Sequence, residues 1–451
     1  MTDLLRYTMT VPALLFIMIG ASSVPVQSKP RPGIATRGTC RVVALFAKFP
    51  DEAPKQTTPP SYAGALFDPA LPGSFTHFYN EMSLGKFTVE GVVLPKYYTS
   101  DRPASKYGPP EKNSKGYFGT FNREVLENAD RDVDFGLFDN DGPDGLPNSG
   151  DDDGYVDYLF ILVKSKPRGF LPGSATGIAQ LGLENDFSTN DPTPGGRIKI
   201  ASIRGATQRV WNFASAAGIM AHEFGHGLGL PDLYDLSYEG PEDDSAGIGC
   251  WGLMGRGALG WHGDGGPVPF CAWSREKLGW AEIVEITEDV AGQVLTDVAT
   301  TGFVYKISSG EKGSYYLLEN RQSTKSTYDR HIPQDGLLIW HIQSRGGNGD
   351  ESKKKVDLVC ADGLYLDRGY PDGTVSAPDS GRDNLDFWAH DELYRSVHVG
   401  NLGDATDVFD GLQFTTFTPH TNPKSERGTY VEHIRRRGTD LITDIQVPRW
   451  S

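Results

Sequence analysis

The sequence predicts an α+β fold, on three observations. Continuous apolar runs, CRVVALFAKF from Cys40 and YLFILV from Tyr158 to Val163, have the length and composition of buried strands. Apolar residues recur at helical spacing from Phe118 to Asp130, and Ile219 to Asp235 (IMAHEFGHGLGLPDLYD) reads as a helix closed by a glycine. After about Val284 the segments FVYKISS, SYYLLENRQ, DGLLIWHIQ, VDLVCADG, GLQFTTFT and LITDIQV are short, β-branched and aromatic, with Gly, Asp and Asn turns between them. Such segments predict an antiparallel β-rich region.

Taken in order, the chain of 451 residues begins with an address. Arg6 precedes the apolar run Val11 to Gly20, and Ala21, Ser22 and Ser23 offer a cleavage site. Residues 1–23 therefore read as a signal peptide, too short in its apolar part to span a bilayer comfortably. The expectation is a secreted protein with no membrane association after cleavage. Residues 24–38 read as a flexible leader, Pro, Gly and Arg-rich from Ser28 to Gly38. A first unit then covers 39–284 and a β-rich part covers 285–451. Within the first unit, SFTHFYNEM predicts a short helix, Gly85 a turn, and Lys86 to Leu94 an alternating strand. Lys166 to Pro194 has little pattern, Arg197 to Ile203 resembles an edge strand, and Pro269 to Trp280 a closing helix.

The net charge of −16 excludes the basic footprint of a nucleic-acid binder and gives no attraction to anionic lipid. The four cysteines, Cys40, Cys250, Cys271 and Cys360, fit an exported protein with two disulfides, of which three pairings are possible. No C-x-x-C spacing points to thiolate metal ligation.

Chemistry concentrates in the helical stretch. His222, Glu223 and His226 are spaced H-E-x-x-H, and residues four apart lie on one helical face. Two imidazoles so placed can point at one zinc ion, while Glu223, beside the first, is placed to take a proton from water rather than to bind metal. Gly229 and Pro231 end the helix and turn the chain, which can swing Asp232 back as a third ligand. Asp235 and Glu239 are close enough in sequence to be alternatives to it. Three protein ligands and an open fourth position characterise a catalytic rather than a structural zinc site.

A second candidate lies in DNDGPDGLPNSGDDDGYVD, Asp139 to Asp157. Oxygen-rich side chains between glycine turns suit Ca²⁺, which takes 6–8 oxygen ligands in flexible geometry. The candidates are Asp139, Asp141, Asp144, Asp151, Asp153 and Asp157. The EF-hand register is absent.

Downstream, CWGLMGRGALGW holds Met254 in a glycine-flanked turn that resembles the Met-turn of metzincins, where the sulfur supports the metal ligands without binding metal. With RVVALFAKFPDE, FYNEMSLGKFTVEGVV, the acidic loop, AHEFGHGLGLPDLYD, AWSREKLGW, YYLLENRQ, GLLIWHI and VDLVCADG, the sequence is similar to the immune inhibitor A family of secreted metallopeptidases. The resemblance implies a metzincin-like zincin catalytic domain, stabilised by calcium, with the β-rich part belonging to the peptidase region. It departs from the pattern at Arg256, where some metzincins carry a tyrosine that stabilises the tetrahedral intermediate. Family members often have a long propeptide, for which the span between Ser23 and Cys40 leaves no room.

The expected function is a secreted zinc endopeptidase acting on proteins or peptides, with a zinc-activated water and Glu223 as general base. Its rivals are a non-enzymatic calcium-binding adhesion or matrix protein, and a zinc hydrolase of a non-peptide bond.

Overall fold

The computed structural model describes residues 34–449, apart from 53–54, 111–115, 173–174, 237–244, 264, 350–353, 364–386 and 388–401. The expected signal peptide and Glu239 thus lie outside the described residues. In order, the elements begin with strand β1 (Gly38–Lys48), helix α1 (Phe75–Met82), strand β2 (Phe87–Thr99), helix α2 (Phe118–Ala129) and strand β3 (Tyr158–Val163). Next come β4 (Gly177–Ile178), β5 (Phe187–Thr193), β6 (Gly196–Ile200), β7 (Gly205–Arg209), α3 (Phe213–Gly227) and α4 (Ala272–Leu278). The rest is β8 (Glu282–Ile286), β9 (Val290–Leu295), α5 (Val298–Thr301), β10 (Phe303–Ser308), β11 (Tyr315–Arg321), β12 (Gly336–Ile342), β13 (Val356–Val359), β14 (Tyr430–Arg437) and β15 (Asp440–Gln446).

The first sheet has the order β2-β1-β3-β7-β4, with β1, β2, β3 and β7 parallel and β4 antiparallel on the edge. Strand side chains alternate between faces, so a strand covered on both sides must be apolar throughout. That is why VVALFA and YLFILV carry no polar alternation. Val42, Ala44 and Phe46 of β1, with Tyr158, Phe160 and Leu162 of β3, face a core shared with α1 and α3. Val43, Leu45 and Ala47, with Leu159, Ile161 and Val163, face a second core filled by Phe121, Val125 and Leu126 of α2. The sheet is the middle layer, and α3 lies on one side of it. Ile34, within the expected leader, packs against the α3 core, and the Thr36 carbonyl accepts the Trp280 indole N–H at 2.7 Å.

A second five-stranded sheet, β13-β12-β11-β10-β8, packs against α4 through β11 and β12. Leu317, Leu338, Trp340, Ile342, Val356 and Leu358 on its inner face belong to the same core as α3. Its outer face, including Tyr305, Leu318 and Ile339, packs against the three-stranded sheet β14-β15-β9.

Several expectations need correction. The β-rich region is not wholly antiparallel, because β8 pairs with β10 in parallel. Between them β9 leaves for the small sheet and α5 turns the chain back, supplying the crossover that a parallel pair requires. GLQFTTFT forms no named strand and contributes two isolated bridges, Phe417 to Val431 and Thr418 to Lys424. The apparently patternless stretch from 166 to 194 contains β4 and β5, and β5 pairs with β6 in a separate hairpin. Arg197 to Ile203, expected as an edge strand just before the zinc helix, contains most of β6, and the strand leading into α3 is β7. The expected disulfides are absent. Cys40 lies on β1, Cys250 ahead of the turn holding Met254, Cys271 at the start of α4 and Cys360 after β13, each thiol buried in its own surroundings.

Candidate metal centre

Helix α3 is fastened at both ends. Asn212 caps it, accepting the Ser215 backbone N–H at 2.8 Å, and the Ser215 hydroxyl returns an acceptor to the Asn212 N–H at 3.1 Å. This reciprocal box satisfies two of the amides that a helix start leaves without partners. Phe224 enters an aromatic cluster with Phe75, Tyr79 and Tyr158, at ring separations of 5.5, 5.1 and 4.8 Å. The phenols of Tyr79 and Tyr158 donate to the carbonyls of Ala221 (2.6 Å) and Glu223 (3.0 Å). At the other end Gly229 has φ of +91°, a conformation that favours glycine, and the chain reverses. Asp232 is thereby carried back to the helix.

The reversal brings three groups together. Asp232 Oδ1 lies 3.1 Å from His222 Nε2 and 3.4 Å from His226 Nε2. One ligand atom from each residue lies within 4.8 Å of the others. Each histidine is held through its other nitrogen: Nδ1 of His222 by the Leu253 carbonyl and Nδ1 of His226 by the Leu230 carbonyl, both at 2.8 Å. A carbonyl can only accept, so each Nδ1 carries the proton and each Nε2 presents a lone pair when neutral. Burial works against protonation of His226, but the Asp232 carboxylate outweighs it and pushes the imidazole up to about 9. Burial would likewise raise Asp232, yet the two imidazoles hold it well below the usual carboxylate range. Asp235 is buried but not among the gathered groups.

Glu223 is buried beside them, and its Oε1 has no hydrogen-bond partner. Burial raises its pKa, with the imidazoles opposing. Sequence reasoning missed what lies over this carboxylate. Edge strand β4 passes so close that a Cβ on Gly177 would sit 2.4 Å from Glu223 Oε1. A two-residue strand leaves no periodic signal by which to find it. Met254 is buried beneath α3, and a Cβ on Gly225 would meet its sulfur at 2.6 Å. Its turn also anchors Asp232's neighbour, since the Met254 carbonyl accepts the Leu233 N–H at 2.8 Å. Arg256 lies over the Tyr234 ring, 4.1 Å from its centre.

In the acidic loop, carboxylate oxygens of Asp139, Asp141 and Asp157 lie within 4.8 Å of one another. Asp139 Oδ1 and Asp157 Oδ1 are buried without a partner. Burial first, and neighbouring carboxylates second, push Asp139 up to about 7 and Asp157 up to about 8. The other three candidates keep different company. Asp153 pairs with Arg204, which also reaches Asp141 at 3.5 Å. Asp144 accepts the Leu146 N–H at 2.8 Å, and Asp151 bonds Ser149 in the exposed turn. Asp152, outside the expected set, accepts the Gly142 N–H at 2.7 Å. The set of residue types showed the acidic patch, but not that an arginine from a later loop enters it.

No helix among the described residues is long and apolar enough to cross a membrane. The sequence profile of the immune inhibitor A peptidase M6 catalytic domain matches residues 61–282. Immune inhibitor A of Bacillus thuringiensis subsp. alesti is 30% identical over 254 residues, 49% of this chain and 35% of that protein. Pre-pro-metalloprotease PrtV of Vibrio cholerae serotype O1 (strain M66-2) is 28% identical over 293 residues, 54% of this chain and 30% of that protein. The chain thus spans about a third of the length of these relatives. A solved structure, wild type OgpA from Akkermansia muciniphila, is 13% identical with a TM-score of 0.27, covering 72% of this chain and 94% of that one. That likeness is too distant to bear on the site. The match at 61–282 contains α3, its histidines and the Met254 turn, so this part of the chain is similar to the catalytic domain of the immune inhibitor A peptidases.

Proposed function

We propose that the chain is a secreted zinc-dependent endopeptidase in which His222, His226 and Asp232 hold the ion and Glu223 is the general base. The observation that carries this reading is the convergence of two Nε2 atoms and one carboxylate oxygen beside a buried Glu223 whose Oε1 has no partner. Two neutral imidazoles and a carboxylate are the donor set that suits zinc with one position left open. When bound, zinc would lower the pKa of a water toward neutrality and polarise the scissile carbonyl. Glu223 takes the proton of the attacking water and delivers it to the leaving amine. Its burial supports that cycle, because a raised pKa makes the carboxylate a better proton acceptor. Met254 supports the helix from below in the manner of a metzincin Met-turn. The signal-like N-terminus supports export.

A second reading concerns the acidic loop, where Asp139, Asp141 and Asp157 form a structural calcium site. Two buried carboxylate oxygens without partners favour a cation there, since like charges otherwise repel and desolvation is uncompensated. Hydrolysis of casein and of a peptide library by the zinc-loaded protein, with and without chelator, tests the main reading. Chelator-sensitive cleavage is expected. A protein that holds zinc and calcium yet cleaves no peptide would instead be a binding protein or a hydrolase of another bond.

A further inference from the structure

Apart from Glu282 at the start of β8, the second sheet lies outside the region matched by the family profile, yet one of its side chains reaches the turn that carries Met254. Arg321, at the end of β11, is fully buried and donates from Nη1 to the Trp251 carbonyl at 2.7 Å. Its Nε donates to Asp329 Oδ1 at 2.8 Å, so the guanidinium is held in place by a buried carboxylate. The guanidinium also lies over the Trp251 ring, 5.7 Å from its centre. The Trp251 indole N–H in turn donates to Asp407 Oδ2 at 2.6 Å. Trp251 is therefore gripped at its carbonyl, its ring face and its ring nitrogen by residues distant in sequence.

The grip matters because of the residues just beyond Trp251. Two positions on, the Leu253 carbonyl holds His222 Nδ1 at 2.8 Å. Next, the Met254 carbonyl accepts the N–H of Leu233, the neighbour of Asp232, and the Met254 sulfur lies under Gly225. One short turn thus sets the ring of His222, the placement of Asp232 and the floor of α3. Carbonyl partners of ligating imidazoles fix ring orientation and basicity, and their loss costs metal affinity. We propose that Arg321 is a positioning residue for the metal centre, acting through Trp251 on the Leu253 and Met254 carbonyls.

This inference rests on the zinc reading above, and the experiment separates the two. Removing the guanidinium alone would strand a buried carboxylate, so the variant of choice is the double change Arg321→Met/Asp329→Leu. Replacing both partners of a buried pair by apolar side chains of similar size is often tolerated. Arg321→Lys is the second variant, keeping a charge for Asp329 while losing the planar fork that serves two acceptors at once. Zinc affinity is read by competition with a chromophoric chelator, the d–d spectrum after cobalt substitution, and the melting temperature without metal. The expected result is a melting temperature close to wild type, zinc affinity lower by about tenfold, and a shifted cobalt spectrum. Wild-type affinity and spectrum in either folded variant would overturn the proposal. So would an affinity loss matched by an equal loss of metal-free stability, which would make Arg321 a structural residue only. Failure of the zinc reading itself has a different signature, in which the wild type takes up no zinc or His222→Ala binds it as tightly.

Discussion

At the scale of single residues the proposed metal centre depends on which side-chain atoms are already held by neighbours and which are not. Glu223 Oε1 has no partner, and each histidine keeps one nitrogen turned inward. Glu223→Gln should remain folded and hold one zinc per chain while losing roughly 10²–10⁴-fold or more in peptide cleavage. Wild-type turnover by that zinc-loaded variant would remove Glu223 from the chemistry. Gly177→Ala is a gentler probe. Its methyl would press on Glu223 Oε1, and a displacement near 1 Å is worth about 10²-fold in rate. Metal content measured alongside should be unchanged, since the atoms nearest a Cβ there belong to Glu223 and Ile219 and not to the three proposed ligands. The H-E-x-x-H register was legible in the sequence because helical geometry places residues four apart on one face. Gly177 and the carbonyls of Leu230 and Leu253 were not, because backbone groups and absent side chains have no signature of their own.

At the scale of elements, α3 and the acidic loop behave oppositely. Helix α3 is capped at its start by its own residues, whereas the loop gathers carboxylates that oppose one another. Asp139 and Asp157 are raised to about 7 and about 8 by burial and by neighbouring carboxylates. The folded chain then retains protons that the unfolded chain releases near pH 4, so without a cation stability falls as pH rises from about 4 through 8. Melting temperatures in a calcium-selective chelator should therefore drop between pH 5 and pH 8. Added calcium should remove most of that drop and raise stability at pH 8. Equal pH profiles with and without calcium would leave the loop a solvated acidic turn with Arg204 as its counter-charge. The sequence showed oxygen donors in abundance, but Asp144 and Asp151 serve the turn itself and Asp153 serves Arg204. Local composition cannot reveal which carboxylates a distant arginine will claim.

At the scale of the molecule, the boundary expected near residue 284 falls inside a continuous core. Leu317, Leu338 and Trp340 of the second sheet pack in the same cluster as Met220, Ala221 and Phe224 of α3. A fragment ending at 284 would expose that face, and it should lack a cooperative thermal transition by near-ultraviolet circular dichroism. A sharp transition in the fragment would show that the first unit stands alone. Composition did change near 284, so the shift from mixed helices and strands to mainly strands was legible. The sharing of one core across that shift was not, because period-two and period-3.6 patterns show which face is apolar without naming what covers it.

The sulfur of Met254, closed in beneath Gly225, also makes the site its own clock. Peroxide can convert a thioether to a sulfoxide only when it reaches the sulfur, so a side chain about 1% exposed reacts only in molecules whose turn has lifted away from the helix. The rate at which Met254 gains an oxygen, followed by mass spectrometry of its peptide, counts those openings directly. Zinc that binds only the closed arrangement should slow that count in proportion to its occupancy, and the lesion, once made, should keep the floor from closing again.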